Sequence, residues 1–418
     1  MDRKFWILWI SATVSKFGDG MRYVSLPLLA YGISRNPLTV ALVPIMESLP
    51  WIFCAPAVAS LVNLWDKRKV LICAGLMRGS FVLVFALLAL GGRVQMVEVY
   101  LLALLSAFPQ IASDSAAQTI LQQVVIDKFR ESANSRLYTA GTLAEDFIGA
   151  PAAGALFALA SGVPFVLDSL TFFFASALLA LVPIALPTAA QANADGRTEP
   201  TSFLKGVAEG WRALRKLRPV MYLAVITFLL DFALTAGTAV GAIFAKEDVG
   251  LTDFQYGLIF SFLAAGGVLG GAMSPRLVSR FGMMPTLTGA MFLLGLARLA
   301  YGFSSGVFLA CAAFLAAGTG AFVWHVAWSS YLQRVVPSHL LGRIYSITES
   351  INHAALVGGS LLGAVIASLV SIRASMVLGG FVALGCATVS LAILGRRAEP
   401  SVSFAAGQTA VVEAAESR

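Results

Sequence analysis

Twelve apolar runs, each about twenty residues or longer and each bounded by Gly/Pro turns or clustered charge, constrain this chain more than any other feature. A helix needs about twenty apolar residues to cross the hydrocarbon of a bilayer, and the runs lie at about 5–32, 38–62, 70–90, 96–119, 138–160, 164–187, 220–245, 254–275, 284–303, 306–331, 343–367 and 373–395. Open sheet edges cannot face lipid, and runs of this length are too long for barrel strands, so the spans are expected to be helices. The fold class that follows is an all-α integral membrane protein of twelve transmembrane helices. Composition agrees: 58% of the 418 residues are hydrophobic and 12% charged, where a soluble domain carries about 25% charged residues, and the mean hydropathy is +0.83. A cytosolic enzyme, a disordered chain, a secreted disulfide scaffold and a nucleic-acid binder are all excluded on this ground.

The formal charge of +7 is read as topology. With the N-terminus in the cytoplasm, twenty-one of the 29 Lys and Arg fall in cytoplasmic segments. Only Arg35, Arg93, Lys246 and Arg373 fall in outer loops, and Lys16, Arg22, Arg78 and Arg298 lie inside spans. Positive charge accumulates on the cytoplasmic side, so both termini are expected there, in the inner membrane of a cell. Cys54, Cys73, Cys311 and Cys386 all lie in apolar stretches without metal or redox spacing and read as packing residues. The first apolar run is a full-length span and not a cleavable signal.

The longest polar stretch divides the chain. Residues 1–187 form a first set of six spans, 188–218 a cytoplasmic linker, 219–395 a second set and 396–418 a disordered tail. In the linker Phe203, Leu204, Val207, Trp211, Leu214 and Leu217 recur at helical spacing opposite Lys205, Arg212, Arg215 and Lys216, the pattern of an amphipathic helix on the inner membrane surface. The halves repeat one another. Leu121-Gln-Gln-Val-Val125 followed by Ser135-Arg-Leu-Tyr138 matches Leu332-Gln-Arg-Val-Val336 followed by Gly342-Arg-Ile-Tyr345, and Asp19 aligns with Asp231. Duplicated six-span halves in parallel orientation are a transporter architecture with the substrate site between them.

Several motifs carry a family resemblance: Phe17-Gly-Asp-Gly-Met-Arg22 with Leu26-Pro-Leu-Leu29, Leu49-Pro-Trp51, Trp65-Asp-Lys-Arg-Lys69, Glu209-Gly-Trp-Arg212, and Val336-Pro337 followed by Gly342-Arg343. Through them the chain resembles the major facilitator superfamily, in particular its bacterial twelve-span drug and siderophore exporter branch, to which the enterobactin exporters belong. The resemblance implies two pseudo-symmetric six-helix bundles and cation-coupled, usually proton-coupled, export. It implies a cytoplasmic gate at the loop between spans 2 and 3, here Asn63, Asp66, Lys67 and Arg68, with Arg136 and Arg343. The family's Asp-Arg step is replaced by Asn63-Leu64; an amide still caps a helix end but lacks the charge term of about 0.3–1 kcal/mol. Gly149, Pro151 and Gly154 of span 5 resemble the antiporter signature, although small residues at this spacing also serve ordinary helix packing.

An ionisable group inside a membrane helix costs about 2.5–3.5 kcal/mol on insertion scales and needs a partner, a pathway or a cavity. Asp19 and Arg22 share a helix face and read either as a structural ion pair or as a tuned coupling site. Asp231 has no charged neighbour within four residues and is the stronger proton carrier. Glu145 and Asp146 point about 100 degrees apart on an ideal helix, so one of them at most faces a central cavity. Glu349 and His353 form an i, i+4 pair able to share a proton, or a simple inter-helix hydrogen bond. His325 reads first as packed. Glu47, Asp114 and Asp168 complete the acidic set; Asp114 and Asp168 read as helix-end or gate residues. Arg78 and Arg298, equivalent in the repeat, each require a carboxylate, carbonyls or an anionic substrate.

No Walker loop, nucleophile elbow or zinc helix motif occurs, so no cofactor and no metal are expected, and an ion gradient supplies the energy. The reading is a monomeric secondary transporter in the lipid bilayer, without nucleic-acid partners, that exports a small molecule (a drug, siderophore or secondary metabolite) by proton antiport. Its rivals are a ferroportin-like metal exporter, suggested by Gly18-Asp19-Gly20-Met21, and a non-transporting membrane sensor or scaffold.

Overall fold

The computed structural model describes residues 3–124, 133, 136–137, 139–181, 215, 217–336 and 338–396. Every regular element in it is helical. The first group comprises α1 (Arg3–Ile33), α2 (Pro37–Phe53), α3 (Ala55–Leu64), α4 (Lys67–Leu90) and α5 (Met96–Val124), then α6 (Thr139–Leu159) and α7 (Val163–Leu181). The second comprises α8 (Arg218–Thr238), α9 (Asp253–Phe281), α10 (Met283–Gly302), α11 (Val307–Val335), α12 (Ser338–Leu369) and α13 (Ile372–Arg396). Ten helices among the described residues are long and apolar enough to cross a membrane. Two of the twelve expected spans fall elsewhere: α1 is 31 residues long but holds Lys16, Asp19 and Arg22 in its middle, and α2 has only 17 residues. Most of the linker and the tail, including the expected surface helix and all but Arg396 of residues 396–418, lie outside the described residues.

Helix ends follow from local chemistry. The Asn36 side chain accepts from Leu38 N at the start of α2, Asp66 caps α4 by accepting from Arg68 N and Lys69 N, and Thr252 with Gln255 forms a capping box on α9. Gly282, at φ 86, separates α9 from α10, a backbone conformation that favours glycine. Two expected spans are interrupted. The second breaks at Cys54 because Pro56, at the start of α3, cannot donate a backbone hydrogen bond to the turn before it. The seventh stops at Thr238 and continues as a short turn, Gly241–Ile243, and a π-turn, Phe244–Asp248. Val240, Ile243, Phe244 and Ala245 in that continuation are completely buried.

The cores reveal how the groups meet. One cluster joins Met21, Val24 and Leu28 of α1 and Ala150 and Ala153 of α6 to Val240, Phe244, Ile259 of α9 and Met376 of α13. It lies toward the loops at 34–36 and 239–252. Toward the opposite ends the cores are separate, with Phe5, Leu8, Ile120 and Leu179 in the first group and Val220, Leu287, Trp324 and Ile344 in the second. Among the described residues, the two groups are therefore packed together on one side and have separate cores on the other. Among the described residues the main crossings between the groups are those of α2 with α12 and α6 with α9.

The α6–α9 crossing is made by small residues: a Cβ at Gly154 would strike the Asp253 carbonyl, and one at Gly257 would strike the Ala150 carbonyl. Within α6 a seven-residue π-turn, Leu143–Gly149, precedes Pro151. Pro151 has no N–H for the Phe147 carbonyl four residues back, and Ser261 Oγ of α9 donates to that carbonyl at 3.2 Å. A buried carbonyl left without a donor costs about 1–3 kcal/mol. Ser261→Ala should therefore lower the unfolding free energy in detergent by that amount, measured by chemical unfolding; an unchanged value would show that the Phe147 carbonyl is satisfied otherwise.

Candidate functional site

The residues that carry chemistry converge where α1 meets α4, α6 and α7. Lys16, Asp19 and Arg22 are spaced three apart and so share one face of α1. Gly18 and Gly20 flank Asp19 and bring the backbones together: a Cβ at Gly18 would run into Thr171 Oγ1 and Asp168 Oδ1, and one at Gly20 into the Glu145 carbonyl. The Gly-Asp-Gly sequence thus sets an acidic residue at a three-helix junction, where Asp19 is 6% exposed.

Asp19 is paired with Arg78 of α4, and Arg22 Nη2 donates to its Oδ1 at 3.2 Å. Lys16 Nζ stands 3.8 Å from Asp19 Oδ2 and 3.0 Å from Glu145 Oε2. Arg22 Nη1 donates to Glu47 Oε1 of α2 at 3.5 Å, and its Nε lies 3.6 Å from Asp168 Oδ2 of α7. Arg78 packs its guanidinium 4.1 Å from the Phe172 ring centroid and reaches Gln110 Oε1 at 3.4 Å. Four carboxylates and three cations are linked in this way. The effective penalty for burying a charge is several kcal/mol per ion and is offset only by close pairing of this kind. Glu47 and Glu145 keep 40% and 28% of their side chains exposed; a carboxylate so exposed within a membrane helix needs an aqueous cavity.

The π-turn of α6 alters the phase that an ideal helix would have. It carries Glu145 to Lys16, while Asp146, beside it, makes no ion pair among the described residues. Asp114 on α5 feels the charges of Lys16 and Arg78 and makes no ion pair among the described residues. Gly149 abuts the Phe17 carbonyl of α1, and Ala150-Pro151 abuts Gly257 of α9, so the antiporter-like stretch lies between the charged helix and the second group.

The second group holds a different arrangement. Asp231 is reached by the Asn352 amide, which in its satisfied orientation donates to Asp231 Oδ2 at 3.3 Å and to Thr348 O at 3.2 Å. Arg298 has no carboxylate partner among the described residues; its Nη2 donates to Leu234 O at 2.6 Å, and Gly237 leaves room for it. Cationic groups are favoured near the last carbonyls of a helix, so Arg298 steadies the interrupted end of α8. Arg78 and Arg298 therefore occupy repeat-related helices but bind different partners. His353 stacks on Trp51 across the α2–α12 crossing, with centroids 5.2 Å apart and planes 8° from parallel, and its Nδ1 is buried without a hydrogen bond. His325 is exposed on α11, next to the core residue Trp324. The side chains of Glu349, Asn63, Leu64 and Arg343 lie outside the described residues, so the Glu349–His353 pairing is not described.

The expected gate residues that are described act within the first group. Asp66 is an N-cap. Lys67 Nζ donates to Val62 O at 2.7 Å and to Trp65 O at 3.0 Å. Arg68 donates to Leu179 O and Ala180 O at 3.0 and 2.8 Å, closing the end of α7. Arg136 lies over Trp6, and its carbonyl accepts from Trp9 Nε1. Sequence reasoning left Lys16 and Gln110 out of the candidate set and put Asp168 at a helix end. The signal for Lys16 was its spacing of three from Asp19; nothing local in the sequence marks the convergence of Asp168 and Gln110.

Residues 8–358 match the family model described as the Major Facilitator Superfamily. The multidrug efflux pump Tap of Mycobacterium tuberculosis is 24% identical over 370 residues, covering 85% of this chain and 85% of that protein. Macrolide efflux protein A of Streptococcus pyogenes is 20% identical over 387 residues, 90% of this chain and 92% of that one. Among solved structures, a bacterial homologue of the iron transporter ferroportin in its inward-facing state superposes with a TM-score of 0.69 at 15% identity, covering 94% of this chain and 98% of that one; the likeness is one of fold.

Breaking a buried ion pair from one side costs about 3–5 kcal/mol, whereas replacing both partners with apolar groups is often far less harmful. Asp19→Asn and Arg78→Met should each destabilise the folded protein by about that amount, and the double variant should lose less than the sum by at least about 1 kcal/mol. Unfolding measurements on the four proteins of this cycle check the coupling; additive losses would contradict it.

Proposed function

The chain belongs to the major facilitator superfamily of membrane transporters, and from that premise we propose that it is a proton-coupled exporter of small amphipathic cations. The observation that carries the reading is the imbalance of the linked cluster: among the described residues Asp19, Glu47, Glu145 and Asp168 pair only with Lys16, Arg22 and Arg78. A buried network one positive charge short is stabilised by a proton or by a cationic ligand, and each weakens the other because both answer the same charge. That competition is antiport in its simplest form. Glu47 and Glu145 form its exposed edge and receive the substrate, while Asp19 holds the proton. Asp231, the counterpart of Asp19 in the repeat, is met by the Asn352 amide.

Two further elements complete the reading. The chain crosses the inner membrane twelve times, with α1 and the broken α2–α3 as the first two spans and both termini in the cytoplasm. The side that is packed shut then faces outward and the divided side inward, the state that loads substrate from the cytoplasm. The names of two relatives, a multidrug and a macrolide efflux protein, support export of drug-like molecules. The partners found for Arg78 and Arg298, Asp19 for the first and a helix end for the second, favour a cation over a catecholate or carboxylate siderophore. Metal export has less support, because no group of three or more His, Cys, Asp or Glu that could hold a metal ion occurs among the described residues.

Proteoliposomes loaded with a lipophilic cationic dye test this directly. Dye movement should follow an imposed pH gradient in wild type and fall at least about tenfold in Asp19→Asn, with catecholates and divalent metals failing to compete. Dye transport that ignores the gradient would refute proton coupling, and competition by catecholate would refute the substrate class.

A further inference from the structure

Asp168 is the least explained charged group in the molecule. It is fully buried on α7, and both its carboxylate oxygens lack a hydrogen bond. Arg22 Nε, also buried, lacks one too, and the two orphans face each other at 3.6 Å. Buried polar groups are almost always hydrogen-bonded, and exceptions call for an explanation. The charged groups that face Asp168 are Arg22 and Asp19 from α1 and Arg78 from α4; α6, the third helix against α7, sends Glu145 to Lys16, one turn along α1. On α7 itself the Thr171 hydroxyl donates to the Asp168 backbone carbonyl and not to its carboxylate.

Nothing in this state satisfies Asp168, yet a movement of well under 1 Å would bring Arg22 Nε within ordinary hydrogen-bond reach of it. Gly18, whose missing Cβ would otherwise strike Asp168 Oδ1, leaves the approach open. We propose that Asp168 is the alternative partner of Arg22, which exchanges Asp19 for Asp168 when Asp19 is protonated. A proton from water adds to an Asp19 oxygen, forming an O–H bond. The Arg22 Nη2 hydrogen bond to Asp19 breaks, and the Nε contact with Asp168 Oδ2 closes. Release of the proton to water reverses each change; while Asp19 is neutral, Arg78 keeps Gln110 Oε1 and the face of the Phe172 ring. Asp168 is thus a positioning residue, acting on the proton at Asp19 through Arg22.

This inference rests on proton-coupled export and sharpens it. With Asp168 neutralised, Arg22 keeps Asp19 at 3.2 Å and the half-exposed Glu47 at 3.5 Å and stays on Asp19, which then takes up a proton only at higher proton concentration. In proteoliposomes, Asp168→Asn should move the midpoint of the pH dependence of dye export to lower pH by about one unit, a tenfold change in proton concentration. Asp168→Glu should restore the wild-type midpoint. An Asp168→Asn protein that is less stable but keeps the wild-type midpoint would overturn the assignment and leave coupling intact, whereas a wild type without any pH dependence would overturn both. Should Asp168→Asn not fold, a wild-type structure at acid pH decides: Arg22 Nε within about 3.2 Å of Asp168 and withdrawn from Asp19 supports the exchange, and Arg22 still seated on Asp19 refutes it.

Discussion

Charge in a low-dielectric interior must be answered by charge, and the architecture of the first helix group is organised around that demand. Asp19 could not stay in the middle of α1 without Arg78, and neither arginine could stay buried without carboxylates. Each requirement fixes a packing relation. Arg78 ties α4 to α1, Arg22 ties α1 to α2 and approaches α7, and Lys16 ties α1 to the π-turn of α6. The glycines on either side of Asp19 bring the helices close enough for these contacts. Because the carboxylates outnumber the cations, the network is sensitive to any added positive charge, which is the property a proton-coupled carrier requires.

The same helix that answers Lys16 also faces the second group. α6 carries Glu145 in its π-turn, turns at Pro151, and is joined to α9 through the Ser261 hydroxyl on the Phe147 carbonyl. The charge network and the crossing between the groups therefore lie within a few residues of each other on one helix. At the other crossing, Trp51 and His353 stack face to face. Small residues at the α6–α9 crossing allow the backbones to approach closely, and on one side the cores of the two groups are separate among the described residues. The coupling proposed here thus needs no long wire; the charged cluster and the crossing share one helix.

Much of this was legible in the sequence. Apolar runs of membrane-spanning length announced helices because backbone groups in lipid must be satisfied within the segment, and Asp19, Arg22 and Arg78 stood out because charge is rare in such runs. What was not legible depends on three-dimensional convergence. Asp168 reads as a helix-end residue until α7 is laid against α1, and Lys16 gains meaning only when Glu145 is brought to it. The π-turn in α6 cannot be inferred from periodicity, since it changes the periodicity that inference relies on. Arg78 and Arg298 meet different members of the expected set for a local reason: α8 ends at Thr238 and presents a carbonyl to Arg298, while α1 runs on unbroken and presents Asp19 to Arg78. The repeat preserved the arginine but not its partner.

The central claim is that the proton binding which drives transport occurs at Asp19 in the first group. Its most direct test is electrical: purified protein on a solid-supported membrane, exposed to a rapid pH step without substrate, should displace charge as the cluster takes up a proton. The account predicts a transient current in wild type that is abolished in Asp19→Asn and retained in Arg298→Gln. A current of undiminished size in Asp19→Asn would place proton binding elsewhere and contradict it.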